Sequence, residues 1–352
     1  MHACFLKEGL LLFRFDLQKA CLSCLFFYLF ERLNLKLRVW ILLLAIYIIW
    51  GSTYLAIRFA VETIPPFLMA ATRFLIPGIL LFFWRRAAGD PKPSRLEWKS
   101  TIIIGFLLLV GGNGGVTWAE QYIPSGVAAL IIGSVPLWII VLNLFRPEGR
   151  HLHKRVIIGS IIGFFGIALL IGPTQLGGNS ESVHPLGIIT ILLAAIFWSA
   201  GSLFSRNAPM PASPLLSTGM EFLAGGFGLL IMSALAGEFT QINYSLISTR
   251  SLLSLGYLIV FGSLIGFVAY TWLLRNAPIT LVSTYAYVNP LIAILIGNRL
   301  AQEPLNLRIL TAAMIIISSV FLINSTMLKI SSSSRKKVQI SYKEDPHLPI
   351  SD

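Results

Sequence analysis

Two charged residues lie deep inside apolar stretches of the sequence, where a charge is costly. Arg73 stands within the stretch 66–84, and Glu221 stands within the stretch 214–236. On membrane-insertion scales a charge at such depth costs at least ~2.5–3.5 kcal/mol unless it meets a partner or water. An Arg73–Glu221 pair within a solute path is one interpretation, and snorkelling of each side chain to a helix end is the structural alternative. Both residues are therefore site candidates.

Other polar and aromatic groups accompany these charges. Asn113 lies in the cluster Gly111-Gly-Asn-Gly-Gly115, which lacks the Gly-Lys-Ser/Thr of a phosphate loop. Glu120 directly follows the apolar stretch 101–119, which contains this cluster. It is either a gating or proton-binding carboxylate or a solvated loop acid. Trp at a membrane boundary is often an interface anchor, so an anchoring role stays open for the tryptophans. The remaining candidates for lining a solute path are Trp50, Tyr54, Trp118, Trp198, Tyr285, Tyr287 and Asn289.

Prolines and spaced glycines mark positions where helices bend or pack closely. Pro136 and Pro290 lie about midway in two apolar stretches, and each leaves a backbone carbonyl without its helical partner. Matching breaks of this kind mark substrate sites in transporters, and a simple kink is the alternative. Small residues four apart allow close helix contact. We assign that packing role to Gly111, Gly115, Gly262 and Gly266.

The composition puts these residues in lipid rather than in water. Of 352 residues, 12% are charged and 56% are hydrophobic, and the mean hydropathy is +0.79. A soluble domain has about a quarter of its residues charged. The net charge of +12 is spread in short clusters between apolar runs, which argues against a nucleic-acid-binding patch.

The residues that usually hold metals are poorly placed for it. The three cysteines, Cys4, Cys21 and Cys24, lie in the first 24 residues, and the five histidines lie outside the apolar stretches. A disulfide framework and a zinc site are therefore not expected. The sequence predicts neither a metal nor a cofactor.

Ten stretches are long and apolar enough to cross a bilayer, which takes about 20 residues. Backbone groups in hydrocarbon must bond within their own segment, so these stretches are predicted to be helices. Their predicted bounds are 39–58, 66–84, 101–119, 125–145, 155–172, 185–205, 214–236, 252–273, 279–298 and 307–328.

The basic residues predict the orientation. With the N-terminus inside, 22 of the 27 Lys and Arg residues fall on cytoplasmic segments. Short loops rich in Lys and Arg stay inside, so both termini are expected in the cytoplasm. Residues 1–37 are predicted to be a non-spanning N-terminal extension, with a surface-lying helix as the alternative. Residues 329–352 are predicted to be a disordered cytoplasmic tail.

The chain repeats itself. At an offset of 148 residues Trp50 falls on Trp198 and Arg73 on Glu221, and at 154 residues Pro136 falls on Pro290. The halves are 39–172 and 185–328. Five helices in each half force the second copy upside down relative to the first. The predicted fold is an all-α membrane protein of ten transmembrane helices, built as two inverted five-helix repeats, an architecture typical of secondary transporters.

Several short motifs resemble the EamA family of the drug/metabolite transporter superfamily. They are Trp50-Gly-Ser-Thr-Tyr54, Arg73-Phe-Leu75, Trp118-Ala-Glu-Gln-Tyr122, Pro124-Ser-Gly-Val-Ala-Ala129, Tyr285-Ala-Tyr-Val-Asn-Pro290 and Gln302-Glu-Pro304. Their order, spacing and duplication carry the resemblance over about residues 39–328. The resemblance implies an inner-membrane permease that exports metabolites, amino-acid-like compounds or drugs. Glu303-Pro304 departs from the family pattern, in which Glu is more often followed by Thr or another residue.

The predicted function is secondary transport of a small solute by alternating access. A membrane-embedded enzyme and a non-transporting scaffold are the alternatives, although the acid clusters of prenyl transferases and the His-Glu-x-x-His of metalloproteases do not occur. The expected partners are a small solute and the bilayer, with protons as a candidate coupling ion. A monomer is compatible with the sequence. Arg73 permits an anion and Glu221 or Glu120 a cation, so the substrate stays open.

Overall fold

The computed structural model describes residues 34–145, 154–171, 184–282, 284–303, 305–319 and 321–322, and these residues form helices and turns without a strand. The long helices of the first half are α1 (Leu35–Ala60), α2 (Pro66–Ala87), α3 (Arg95–Ala119), α4 (two pieces, Ser125–Ile132 and Val135–Leu144) and α5 (Lys154–Ile171). Those of the second half are α6 (Pro185–Ser205), α7 (Pro214–Leu235), α8 (Thr249–Asn276), α9 (Tyr285–Ala301) and α10 (Leu307–Ser319).

Seven of these helices are long and apolar enough to cross a membrane: α1, α2, α3, α4, α6, α7 and α8. Large apolar side chains also cover the outside of the bundle, among them Phe83 at 64%, Leu253 at 71% and Leu295 at 62% exposure. In water such a surface would aggregate, whereas lipid solvates it. The prediction of an all-helical membrane protein is confirmed at this level.

Two helices begin earlier than predicted because polar caps lie upstream of the apolar stretch. The Asn34 side chain accepts a hydrogen bond from the Leu37 backbone N–H at 2.8 Å, and α1 begins at Leu35. Residues 35–37 therefore belong to the helix and not to the predicted extension. In α3, Ser94 and Glu97 form a reciprocal capping box, and the helix starts at Arg95 instead of 101. Residues 1–33 and the predicted tail 329–352 lie outside the described residues.

The fourth and ninth predicted helices are interrupted. α4 breaks at Gly133 and Ser134, and Pro136 lies in the first turn of its second piece, where a missing N–H is tolerated. The predicted helix 279–298 is instead a short helix, Ile279–Val282, followed by α9, which contains Pro290. Each interruption lies on the N-terminal side of the proline of its predicted helix, Pro136 or Pro290.

Each half also contains a wide helical turn that the sequence did not predict. π-helix runs through Phe106–Gly114 in the middle of α3 and through Leu258–Phe267 in the middle of α8. π-helical geometry is rare and is often found at functional sites. The two segments include Gly111 and Gly262, which are repeat-equivalent residues.

The most extensive helix pairing among the described residues joins α2 to α7. A Cβ built on Gly78 would lie 3.0 Å from the backbone N of Leu223, and one built on Gly226 would lie 3.1 Å from the backbone N of Leu75. The rings of Phe74 and Phe222 are 5.3 Å apart. Residue numbers rise along one helix as they fall along the other, so α2 and α7 are antiparallel. Each of these contacts is matched by its repeat equivalent.

The π segments pack across the two halves. A Cβ on Gly266 of α8 would lie 2.5 Å from Trp50 Nε1 of α1, and one on Gly115 of α3 would lie 3.0 Å from the Cβ of Ala194 of α6. Gly111 likewise faces Phe197, and Gly262 faces Arg73 and Thr53. All four glycines therefore lie where two helices approach closely.

Candidate functional site

A buried cavity of about 60 Å³ lies at the junction of the two halves, and we call it the central cavity. Seven helices contribute to it, namely α1, α2, α3, α4, α6, α8 and α9. It is lined by Trp50, Thr53, Tyr54, Ile57, Arg73, Gly112, Asn113, Val116, Ile132, Ala194, Trp198, Gly262, Phe267, Tyr285 and Asn289. Seven of these were predicted from the sequence: Trp50, Tyr54, Arg73, Asn113, Trp198, Tyr285 and Asn289.

One wall of the central cavity is aromatic. The rings of the equivalent residues Trp50 and Trp198 meet edge to face at 5.8 Å. Trp50 also lies 5.4 Å from the Tyr285 ring and 5.0 Å from the Tyr270 ring. Trp50 Nε1 donates to the Gly262 carbonyl at 3.1 Å, which fixes α1 to the π segment of α8. Trp198 Nε1 is buried without an acceptor in hydrogen-bonding geometry.

Arg73 supplies the charge of the central cavity. The residue is 4% exposed. Its Nε donates to the Ser263 hydroxyl at 3.4 Å, and its Cζ lies 4.9 Å from the centre of the Phe74 ring. Its Nη1 is buried and has no hydrogen-bond partner among the described residues. Glu120 and Tyr54 interact with it electrostatically. The guanidinium is thus held in place with donor capacity to spare.

Two amides complete the polar lining. Asn113 Nδ2 donates to the Leu108 carbonyl at 3.4 Å, within the π segment of α3. The amide of Asn289 lies 3.2 Å from the carbonyls of both Tyr47 and Tyr285, so its nitrogen belongs on that side. Both amides are therefore tied to the backbone around the cavity.

One end of the bundle is closed by Glu303, which is buried after the end of α9. Its carboxylate pairs with Arg58 Nη1 at 2.7 Å and accepts from the Ser125 N–H at 2.9 Å, the Ser125 hydroxyl at 2.7 Å and the Gly126 N–H at 3.1 Å. These contacts join α1 to the N-terminus of α4, where a carboxylate is favoured. Gln302 has a left-handed φ of 52°, which turns the chain so that Glu303 points inward.

Glu120 is also buried near this end, 2% exposed, and neither of its oxygens has a hydrogen-bond partner in the described part of the chain. It interacts electrostatically with Glu303, Arg58 and Arg73. It does not belong to the residues that line the central cavity. The interpretation of Glu120 as a solvated loop acid is therefore wrong, because the acid is enclosed.

A second cavity, of about 390 Å³, lies beside the C-terminal ends of α6 and α8, and we call it the Arg275-side cavity. Arg206, Asn207 and Arg275 are exposed at its mouth, while Glu221 is 4% exposed within it. Glu221 Oε1 accepts from the Ser217 hydroxyl at 3.1 Å. Phe267 lines both cavities, and its ring lies 6.2 Å from the rings of both Trp50 and Trp198, so it belongs to the aromatic wall and lies where the two cavities adjoin. The other lining residues are Ile104, Leu108, Ser205, Met210, Tyr270, Thr271 and Leu274.

The structure separates some of the residues that the sequence grouped together. Arg73 and Glu221 line different cavities and form no ion pair, so the interpretation of a direct pair is wrong. The reason is that α2 and α7 meet through Phe74, Phe222 and glycines, which leaves the neighbouring charges on opposite sides of the contact.

Two further candidates lie away from the central cavity or outside the description. Trp118 is half-buried and packs on Tyr122, with ring centres 4.9 Å apart. Tyr287 belongs to α9, but its side chain lies outside the described atoms.

Sequence reasoning missed four functional candidates: Phe267 and Tyr270 in the aromatic wall, Arg275 at the mouth of the second cavity, and Glu303 at the closed end. Phe267 and Tyr270 carried no signal, since aromatic residues are common in any apolar helix. Glu303 was named only within the Gln302-Glu-Pro304 motif that resembles the family, and its position directly after a helix was the usable signal. The π segments left no trace in the residue pattern.

A bundle of membrane-length helices around a cavity with buried polar groups defines a membrane transporter as the class of protein. A match to the EamA-like transporter family covers residues 37–172 and 185–325. The chain belongs to this family. The two matched segments correspond to the two predicted halves.

Named relatives agree with this class. The chain is 41% identical over 265 residues to the uncharacterized inner membrane transporter YedA of Escherichia coli (strain K12), covering 75% of this chain and 83% of YedA. It is 26% identical to the uncharacterized transporter YvbV of Bacillus subtilis (strain 168), covering 82% and 92%. A solved chain titled "Crystal structure of protein" matches with a TM-score of 0.57 at 19% identity over 82% of this chain and 96% of that chain, which shows the fold.

Proposed function

We propose that this protein is a secondary transporter that moves a small solute through the central cavity by alternating access. The observation that carries the proposal is a cavity at the junction of two repeated halves, which combines the buried polar groups of Arg73 and Asn289 with a wall that includes the equivalent residues Trp50 and Trp198. Substrate sites in transporters of this type lie at the repeat interface near the bilayer midplane. The direction that the family resemblance favours is export.

The proposed architecture is ten spans in two inverted repeats. α5, α9 and α10 would add to the seven helices of membrane length. The antiparallel contact between the equivalent helices α2 and α7 supports inversion, because two copies of a helix that run in opposite directions belong to halves of opposite orientation. The cross-packing of α3 on α6 and of α8 on α1 supports it as well.

The proposed location is the bacterial inner membrane with both termini in the cytoplasm. The basic residues support this orientation. It would place the Arg275-side cavity toward the cytoplasm and the Glu303 end toward the outside. The conformation described here would then be closed outside, by the Glu303 network, and accessible from inside up to the aromatic wall.

Transport in this scheme requires two movements. The wall formed by Trp50, Trp198 and Phe267 would have to part for a solute to pass from the Arg275-side cavity into the central cavity. The bonds of Glu303 to Arg58 and Ser125 would have to break for release on the other side. The breaks in α4 and α9 and the π segments of α3 and α8 lie beside these points and supply weak places in the helical hydrogen bonding.

The decisive experiment is a flux assay with the purified full-length protein in liposomes, loaded in turn with radiolabelled amino acids, small organic acids and amines. We expect saturable efflux of at least one compound. Glu303→Ala should change its rate, and Glu62→Ala, at an exposed ion pair with Arg250, should leave the rate unchanged. No flux above empty liposomes for any compound would contradict the proposal and favour a scaffold or an enzyme.

The orientation is tested separately by reporter fusions. A fusion after Asp352 should report the cytoplasm, and one inserted in the segment 172–183 between α5 and α6 should report the outside. A fusion after Asp352 that reports the outside would overturn the proposed topology but would not affect the outcome of the transport assay. Protons as a coupling ion are tested in the same liposomes by imposing a pH gradient.

A further inference from the structure

We propose that the central cavity binds the carboxylate of a small solute and that the Arg73 guanidinium is its anchor. The inference rests on the proposed transport function and narrows its substrate class. The sequence alone left anions and cations equally open, because Arg73 favours the one and Glu221 or Glu120 the other. The placement of these three residues separates the two possibilities.

Charge within the central cavity is of one sign. Among the described residues that line it, Arg73 is the one charged side chain. Glu221 lines the Arg275-side cavity, beyond the aromatic wall. Glu120 interacts with Arg73 electrostatically but lies outside the lining. A cation in the cavity would meet a guanidinium without a carboxylate beside it, whereas an anion would meet its natural partner.

Part of the hydrogen-bonding capacity of Arg73 is unused. A guanidinium has five N–H donors and is charged at every physiological pH. Here Nε has one long bond to Ser263, and Nη1 is buried with no partner in the described structure. A buried donor without an acceptor is unfavourable, because the desolvation of the N–H group is not compensated. A ligand oxygen in the cavity would remove that cost.

Other arginines of the chain show what a structural guanidinium looks like. Arg85 makes two bonds to the Asp90 carboxylate, at 2.9 and 2.6 Å. Arg58 pairs with Glu303 at 2.7 Å. Arg73 is the more deeply buried residue, and yet it has no carboxylate within ion-pair distance among the described residues. Glu120 stabilises its charge from a distance and leaves the N–H groups free.

The cavity also limits the size and the chemical character of the ligand. A volume of about 60 Å³ is small, so the bound group is a small one. The lining also includes Trp50, Trp198 and Tyr285, whose rings suit an apolar body. The ligand class is therefore a small organic carboxylate with an apolar portion.

Three probes of similar size separate the charge requirement from simple apolar binding: butyrate, butyramide and butylamine, which are anionic, neutral and cationic at neutral pH. Binding of each to the purified full-length protein is measured by isothermal titration calorimetry in detergent. We expect saturable binding of butyrate in the millimolar range and at least tenfold weaker binding of the other two. Arg73→Gln should weaken butyrate binding by about tenfold or more, since a hydrogen bond to a charged group contributes about 1.5–3 kcal/mol.

The matched control is Arg250→Gln, which removes a guanidinium from an exposed ion pair far from the cavity and should leave butyrate binding unchanged. Arg73→Lys keeps the charge and should retain part of the affinity, which would show that a misfolded cavity is not the cause of the loss. Equal binding of all three probes, preference for butylamine, or butyrate binding that survives Arg73→Gln would each overturn the inference.

The two proposals fail separately. Butyrate that binds through Arg73 in a protein without flux would uphold the site and remove the transport function. Flux of amines that is insensitive to Arg73→Gln would uphold transport and remove the carboxylate site.

Discussion

The second helix of each half carries one buried charged residue, and the two side chains line different cavities. Arg73 of α2 faces the central cavity with a free donor, while Glu221 of α7 faces the Arg275-side cavity and accepts from Ser217. The helices are repeat equivalents that pack against each other. The same backbone geometry thus presents a base to one side of the contact and an acid to the other.

A similar contrast holds at the two ends of the bundle. The Glu303 end is closed by a carboxylate that accepts four hydrogen bonds. The other end contains a cavity of about 390 Å³ with exposed arginines at its mouth. The two halves therefore have a similar arrangement of helices, and single residues within that arrangement determine which end of the bundle is closed. Four matched substitutions test this, in order of expected effect.

The largest effect is expected at the closed end. Glu303→Ala leaves two backbone N–H groups, a hydroxyl and the Arg58 guanidinium without their acceptor. We expect the free energy of unfolding, measured in detergent micelles, to fall by about 2–4 kcal/mol. Glu62→Ala breaks an exposed pair with Arg250 and should cost less than about 1 kcal/mol. Equal effects of the two would mean that the Glu303 network does not seal this end.

The next contrast compares the equivalent glycines 105 and 256. A Cβ on Gly105 would lie 2.7 Å from the Glu221 carbonyl oxygen and 2.9 Å from the Gly225 backbone N, whereas nothing lies within 4 Å of one on Gly256. Gly105→Ala should therefore destabilise by about 1–3 kcal/mol, because backbone atoms cannot move aside independently. Gly256→Ala should be neutral or slightly stabilising through helix propensity. A loss of stability in both variants, measured by thermal unfolding, would contradict the expected difference between Gly105 and Gly256.

The equivalent tryptophans differ by one hydrogen bond. Trp50→Phe removes the donor to the Gly262 carbonyl and should cost about 1–2 kcal/mol beyond the loss of ring area. Trp198→Phe removes an N–H without an acceptor and should cost less. The comparison requires unfolding data for both single variants. A greater cost at Trp198 would show that its N–H has a partner of its own, such as a bound solute.

The smallest effect concerns Asp90, which precedes α3. Hydrogen bonds from Arg85 hold the pKa of Asp90 below its usual range. A lowered pKa stabilises the folded protein above the unfolded value of about 3.9, and this contribution disappears as the pH falls through the folded pKa. Asp90→Asn should therefore cost under about 1 kcal/mol at neutral pH and nothing at strongly acidic pH. A difference that grows as the pH falls would contradict this account.

The residue pattern alone was sufficient for the class of the molecule and for seven of the fifteen residues that line its central cavity. Apolar stretches of sufficient length leave the backbone no alternative to helix in lipid, and α6 runs from Pro185 to Ser205 as predicted. Repeat offsets related Trp50 to Trp198 and Arg73 to Glu221 before any contact was known. Burial of a charge is rare enough in such stretches that Arg73 could be selected by type and depth alone.

Tertiary structure alone decided which of these groups meet. Whether Arg73 and Glu221 pair depends on the face of α2 that packs on α7, and glycines set that face through contacts that no local pattern encodes. The enclosure of Glu120 and the π segments of α3 and α8 likewise depend on contacts with other helices, and the carboxylate of Glu303 binds the start of α4, 177 and 178 positions away along the chain. Long-range packing of this kind leaves little signal in a single sequence, because many apolar residues would fill the same space.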